Sequence, residues 1–382
     1  MKTQRISTLA LALSALHLLP ASVTAQPLPE HSSPLTTHPF AEAIAPLVSQ
    51  HSHELSVAQS IAANAATLQQ AVPNSTAGME QAQFFGKLPQ WLAPFVPPVL
   101  QPLPVSVNRS QNYRPWMSPD VQAAWQQRYL GQGRNITVVD EFRSGSPFTG
   151  NLQGFNQTLR HGDWTALQAG MIAPGATLRQ QDFANYLPLR LYSGLNVINM
   201  SYGIMFNKNV PISIASLSPR EASIASYAKQ GQAVAVKSAG NDGVNMGSVT
   251  AAGTVDQLSR LLRGSQSGIF VGSLKTNGSK EALASMASYS NKAGKDSAYQ
   301  KQFLVVGVDT AQIRIAGTSF AAPIVSGYAA ILGSKFTTAT PTQVTNQLLN
   351  TARQDTVANY SREVHGRGEA SLSRALAPTT IR

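Results

Sequence analysis

A chain of 382 residues, 43% hydrophobic and 12% charged, can bury a large core, and its charge is too sparse for a disordered or nucleic-acid-coating protein. The formal net charge of +11 comes from scattered Lys and Arg, with no basic run interleaved with aromatics, so no nucleic-acid partner is expected. With no cysteine, disulfides, thiolate metal sites and a thiol nucleophile are all excluded.

The chain opens with Lys2 and Arg5, an apolar stretch from Ile6 to Pro20, and Val23-Thr24-Ala25. A charged start, a short apolar run and small residues at its end predict a signal peptide over residues 1–25. The apolar run is too short to span a bilayer comfortably, although an uncleaved anchor is the alternative reading. No later segment predicts a membrane span. Asn-x-Ser/Thr sequons follow at Asn74, Asn108, Asn135, Asn156, Asn199, Asn277 and Asn359. Asn135 and Asn199 fall in or beside apolar, strand-like runs that leave no room for a glycan. Secretion without N-glycosylation is therefore expected, to a bacterial periplasm or to the medium.

Residues 26–107 change texture three times. Gln26 to Phe40 is rich in Pro, Ser, Thr and His and predicts no regular structure. Ala41 to Val72 is Ala-rich, lacks Gly and has helical spacing. Leu88 to Val107 is apolar but broken by prolines, which suits an extended linker. Position and length fit either a prosegment or a permanent helical extension. His51-Ser52-His53-Glu54 lacks the His-Glu-x-x-His spacing of a zinc helix.

From residue 108 to 382 the pattern is α/β. Branched apolar runs recur at Ile136–Val139, Leu195–Asn199, Ala233–Val236, Gly268–Val271 and Phe303–Val306, with helical stretches such as Pro219 to Gln230 between them. This alternation predicts a three-layer fold, a mostly parallel sheet flanked by helices, with function at the carboxyl ends of the strands.

The chemistry-bearing residues lie within that region. Gly317-Thr318-Ser319-Phe320-Ala321-Ala322-Pro323 sets a serine between a flexible glycine and a small-residue helix with proline in its first turn. Alone, this reads equally as a nucleophile at a helix N-terminus or as a plain N-cap. A hydroxyl needs a base to become a nucleophile. Of the seven histidines, only His161 and His365 lie in the α/β region. His365 has a polar context that predicts a turn or edge segment. His161 opens a small-residue helix, and Asp140 closes the strand Ile136–Val139.

ITVVD, HGDWTALQAGMIAPGA, VINMSYG, VKSAGNDG and GTSFAAPIVSG, in this order, resemble the blocks of the subtilisin-like serine peptidases, or subtilases. The resemblance runs from about Tyr113 to Ala375. It implies a serine endopeptidase acting on protein or peptide substrates through an acyl-enzyme. Ser319 would be the nucleophile, His161 the base and Asp140 its orienting carboxylate. The Asn241 side chain would donate to the oxyanion together with the Ser319 N–H. The backbone of Ser201, Tyr202 and Gly203 would pair with an extended substrate, and with Gly240 would border the pocket for the residue before the cut. The N-terminal segment would act as inhibitor or folding chaperone. No cofactor is implied; calcium is common in the family, but no Asp-rich ligand loop stands out. The alternative is an inactive subtilase-fold binding module. Three departures stand out: Asp163 after His161-Gly162, where Thr is usual; a short gap from Asp140 to His161, consistent with a missing hairpin or loop; and Lys237 in place of a small residue.

Overall fold

The computed structural model describes residues 112–382. The signal peptide, helical extension and linker expected over residues 1–107 lie outside the described residues.

The chain enters through α1 (Pro119–Gln126), whose N-cap is Ser118 and whose first turn holds the tolerated proline. The strand β1 (Asn135–Asp140) is buried at every position. A short antiparallel hairpin, β2 (Phe148–Gly150) and β3 (Gln157–Leu159), leads to α2 (His161–Ile172). Then come β4 (Thr177–Asp182), β5 (Asn196–Met200), β6 (Met205–Asn207) and α3 (Pro219–Lys229). These are followed by β7 (Val234–Ser238), β8 (Thr254–Asp256), α4 (Gln257–Leu262) and β9 (Gly268–Leu274). The rest is α5 (Ser297–Gln302), β10 (Phe303–Gly307), α6 (Thr310–Ile313), α7 (Ala322–Lys335), α8 (Pro341–Asn350), α9 (Arg362–His365) and α10 (Leu372–Leu376).

Six strands form one parallel sheet in the order β10-β9-β7-β5-β1-β4. The five apolar runs read from the sequence all lie in it. β4 is not among them. Thr177-Leu-Arg-Gln-Gln-Asp182 is too polar to read as a buried strand, and it holds its place because it is the edge strand beside β1. The hairpin occupies the interval between Asp140 and His161.

Alternation along the strands sends side chains to two faces. Ile136, Val138, Val197, Val234, Val236, Val271 and Val306 pack into one core with α2 and α7. Val139, Ile198, Met200, Ala235, Phe270 and Val305 pack into a second core with α3 and α4. The result is the three-layer α/β fold, with apolar side chains covered on both sides. Helix α7 is buried from Ala322 to Ser334 and crosses α2 closely at Gly327. A Cβ at Gly327 would stand 2.3 Å from Ile172 Cγ2, so the contact requires glycine.

His365 is not in a turn or edge. It ends α9, is 3% exposed, and stacks on Tyr360 with 5.9 Å between ring centroids. Burial pushes its pKa below the ordinary value, partly opposed by the Ser361 backbone. The unfolded chain therefore takes up a proton that the folded one resists, so this residue's contribution is present above about pH 6.5 and falls as the pH drops below it. Urea denaturation at pH 7 and pH 5 should show a loss of stability that is smaller in His365→Phe.

Candidate active site

The strand order reverses at β1: the chain passes from β1 to β4 on one side, then to β5 on the other. Crevices open at the carboxyl ends of strands at such a reversal. Asp140 ends β1, Ser201 follows β5, and Asn241 lies just beyond β7, so all three gather at that edge.

Asp140 is 1% exposed, and both carboxylate oxygens are occupied. Oδ1 accepts the Glu141 N–H at 2.7 Å and lies 2.6 Å from His161 Nδ1. Oδ2 accepts the Thr165 hydroxyl at 2.9 Å. Thr165 sits one helical turn beyond His161 on α2, so both reach the same carboxylate. A carboxylate holding Nδ1–H leaves Nε2 as the basic nitrogen and stabilises the imidazolium formed when it takes a proton. The imidazole lies 5.7 Å from the Phe320 ring and 6.4 Å from Phe148, centroid to centroid. The His161 ring therefore stands beside the residue after Ser319.

Ser319 lies inside a 3₁₀ turn, Thr318–Phe320, which enters α7. It does not cap the helix: no side chain caps either the turn or α7. Gly317 precedes the turn at φ 127°, a backbone region that side chains other than glycine rarely adopt. Ser319 is 3% exposed, and its Oγ donates to the Ser201 carbonyl at 3.1 Å. In return the Ser201 hydroxyl donates to the Ser319 carbonyl at 2.8 Å. Behind this pair the Ser326 hydroxyl donates to Asn199 Oδ1, and Asn199 Nδ2 donates to Ser201 Oγ, each at 3.0 Å. This buried chain of bonds ties the end of β5, the serine turn and α7 together.

Asn241 is oriented from the same turn. Its Oδ1 accepts the Thr318 N–H at 2.8 Å and the Thr318 hydroxyl at 3.0 Å. The NH₂ end is thereby the donor left for a ligand. The Thr318 hydroxyl accepts the Gly240 N–H at 3.0 Å, locking the two segments. Gly240 has φ 105°, and a Cβ there would meet Asn291 Nδ2 at 2.4 Å.

Ser201, Tyr202 and Gly203 are all buried. The Tyr202 side chain is committed to packing: its ring meets Phe183 edge-on at 4.8 Å, and its hydroxyl donates to Glu221 at 3.0 Å. Burial drives this phenol well above its ordinary pKa. Glu221 in turn is paired with Arg220 at 2.6 Å.

The three departures each take a physical place. Asp163 sits half-buried in the first turn of α2, where the helix terminus favours negative charge. Burial raises its carboxyl against the pull of the Arg160 N–H. The short gap from Asp140 to His161 carries the β2–β3 hairpin. Lys237 is 1% exposed, and its Nζ meets Asp256 Oδ2 at 2.8 Å, the Tyr202 carbonyl at 2.7 Å and the Ser238 carbonyl at 3.1 Å. Burial would raise the Asp256 carboxyl, but Lys237 and the Ser259 and Ile204 donors hold it below the ordinary carboxylate range. Removing one partner of such a buried pair strands the other. Lys237→Met should lower stability by about 3–5 kcal/mol, read as an earlier urea midpoint with an unchanged slope.

Thr165, Thr318, Asn199 and Asp256 escaped the sequence reading. Each is a common polar residue whose role depends on partners distant in the chain. Thr318 and Thr165 had one available signal, their place inside the serine and histidine blocks. Among the described residues no group of three or more His, Asp or Glu is placed to hold a metal ion.

A parallel α/β sheet, with a serine, a histidine on a carboxylate and an oriented amide at its switch point, is the arrangement of an α/β serine hydrolase. The model of the subtilase family (peptidase S8) matches residues 175–368, half of the chain, and the chain belongs to this family of serine endopeptidases. The match includes Ser201, Gly240, Asn241 and Ser319 and begins after Asp140 and His161. Several solved structures are similar to the chain. The prenylagaramide maturation protease PagA is 20% identical, with 68% of this chain and 98% of that one covered at a TM-score of 0.47. MycP1 from Mycobacterium smegmatis is 19% identical, with 74% and 90% covered at 0.42. A cold-adapted subtilisin-like serine proteinase is 19% identical, with 63% and 90% covered at 0.40. No curated protein matches the chain.

Proposed function

We infer that the chain is an exported endopeptidase that cleaves peptide bonds through Ser319, His161 and Asp140. The observation that carries the reading is the 2.6 Å pairing of Asp140 with His161 Nδ1, on the sheet edge that also holds the Ser319 turn and Asn241. Ser319 Oγ attacks the scissile carbonyl carbon and gives its proton to His161 Nε2. The carbonyl electrons move to oxygen, where the Asn241 NH₂ and the Ser319 N–H stabilise the charge. Collapse breaks the C–N bond, and His161 returns the proton to the leaving amine. Water then enters, His161 takes one of its protons, and attack on the acyl ester releases the acid and regenerates the Ser319 hydroxyl. Asp140 keeps its charge throughout and steadies the imidazolium.

Export is supported by the charged and apolar composition of residues 1–25, and a removable prosegment by the length and position of residues 26–107. The segment would be a folding aid and cleft inhibitor. In this reading Ser201, Tyr202 and Gly203 offer the substrate only backbone, because the Tyr202 side chain is already engaged.

The test is active-site labelling of the processed protein with a fluorophosphonate, followed by mapping of the adduct and casein digestion. An adduct on Ser319 together with digestion is the expected result. A folded, processed protein that shows neither is a binding module.

A further inference from the structure

Beyond Met200 the chain leaves the central sheet. β5 and β7 stay paired as far as Met200 and Lys237, and the Ser201–Gly203 segment that follows belongs to no strand. A buried carbonyl outside a ladder needs another donor. Tyr202 is 6% exposed, and its carbonyl receives the Lys237 ammonium at 2.7 Å.

An ammonium has three N–H bonds to give, and Lys237 has three partners. Besides the Tyr202 carbonyl they are the Ser238 carbonyl at 3.1 Å and Asp256 Oδ2 at 2.8 Å. The side chain thus joins the exit of β5 to the exit of β7. Asp256 extends the hold, because its Oδ1 accepts the Ile204 N–H at 3.0 Å. The same oxygen caps α4 through the Leu258 and Ser259 N–H groups, and Asp256 pairs with Met205 across β6 and β8, so the carboxylate is itself fixed. It lies against Gly203, where an ideal Cβ would stand 3.4 Å from Oδ2. The ion pair therefore holds the residues on both sides of Gly203. Gly203 is buried, and neither its N–H nor its C=O has a partner among the described residues. Those two groups are what an extended peptide can pair with, as a strand adds to an open edge.

We propose that Lys237 is a positioning residue for the substrate backbone: it presets the Tyr202–Ile204 segment so that Gly203 pairs with substrate residues preceding the cut. The proposal rests on the peptidase reading above. Lys237 touches neither the substrate nor Ser319. It acts through the Tyr202 carbonyl directly and through Asp256 on the Ile204 N–H. A segment already held in its binding conformation loses little freedom when a peptide pairs with it, whereas a loose one must be ordered at the expense of affinity. A small residue at position 237 could make none of these bonds, so the departure from the family pattern acquires a role in substrate binding.

The experiment uses the processed full-length enzyme, fluorophosphonate labelling, and two fluorogenic substrates with the same leaving group, one with a single residue before the cut and one with four. Wild type should favour the longer substrate in kcat/KM by about tenfold or more, the scale of one to two hydrogen bonds to Gly203. Lys237→Met alone strands Asp256 and can unfold the chain. Lys237→Met/Asp256→Asn removes both charges, while the asparagine keeps an acceptor for the Ile204, Leu258 and Ser259 N–H groups. In this double variant Ser319 should still take the label. Its long-to-short ratio should fall by about tenfold, mainly through KM, because the pairing is made in the ground state and the transition state alike. A folded double variant that keeps the wild-type ratio overturns the proposal and leaves Lys237 a stabilising ion pair. A wild type that labels at Ser319 but gains nothing from the longer substrate also overturns it, without any variant, and leaves the peptidase intact. If wild type neither labels nor cleaves either substrate, the peptidase reading fails and the proposal falls with it.

Discussion

Ser319→Ala and His161→Ala should each lower kcat for peptide hydrolysis by about 10⁶, a figure taken from subtilisin, another subtilase, and the double variant should fall no further. The reason is chemical. In the proposed mechanism the serine hydroxyl does nothing without a base, and the imidazole has nothing to deprotonate without the hydroxyl, so the two would act as one unit. Asp140→Asn should cost less, about 10⁴. It removes the charge that balances the imidazolium and disturbs the 2.6 Å contact that sets the tautomer. Residual turnover in all of these variants should exceed the rate in water, because the oxyanion donors and the substrate contacts remain. Steady-state kinetics on a single peptide, with circular dichroism to show that each variant folds, measures the set. Equal activity of Ser319→Ala and wild type would mean that another group performs the chemistry.

Asn241→Ala should lower kcat by about 10²–10³ with little change in KM, again a magnitude known from subtilisin. A donor that serves only the developing oxyanion affects the transition state and hardly touches substrate binding. The structure adds a second arm to the test. Asn241 is aimed by the Thr318 N–H and hydroxyl at 2.8 and 3.0 Å, and that hydroxyl also anchors Gly240. Thr318→Val keeps the volume and the N–H but removes the hydroxyl. It should reproduce part of the Asn241→Ala loss in kcat, and adding it to Asn241→Ala should cost little more. Strictly additive losses would instead show Thr318 acting apart from the amide.

Much of this protein was legible from its residues in order. Five of the six central strands announced themselves as branched apolar runs, because a strand covered on both faces must be apolar throughout. The sixth, Thr177–Asp182, escaped because only Leu178 and Gln181 of it are buried, whereas the other edge strand, Phe303–Gly307, is covered at every position. His365 shows the limit of local reading: a polar neighbourhood in the chain does not reveal that Tyr360 and α9 fold the ring inward. Lys237 looks like an anomaly among small residues, and its partner Asp256 lies in a different element.

The sequence by itself determined the class. Its ordered blocks name the family, its apolar periodicity sets the layers, and the residues able to act as nucleophile, base, carboxylate and amide donor are few enough to single out. Local spacing could carry that information because each block is a strand end or helix start, shaped by its own neighbours. The tertiary structure alone decided how those residues are held. The bonds that orient Asn241 and seat Ser319 join residues 77 and 118 positions apart, and no local pattern encodes such pairings.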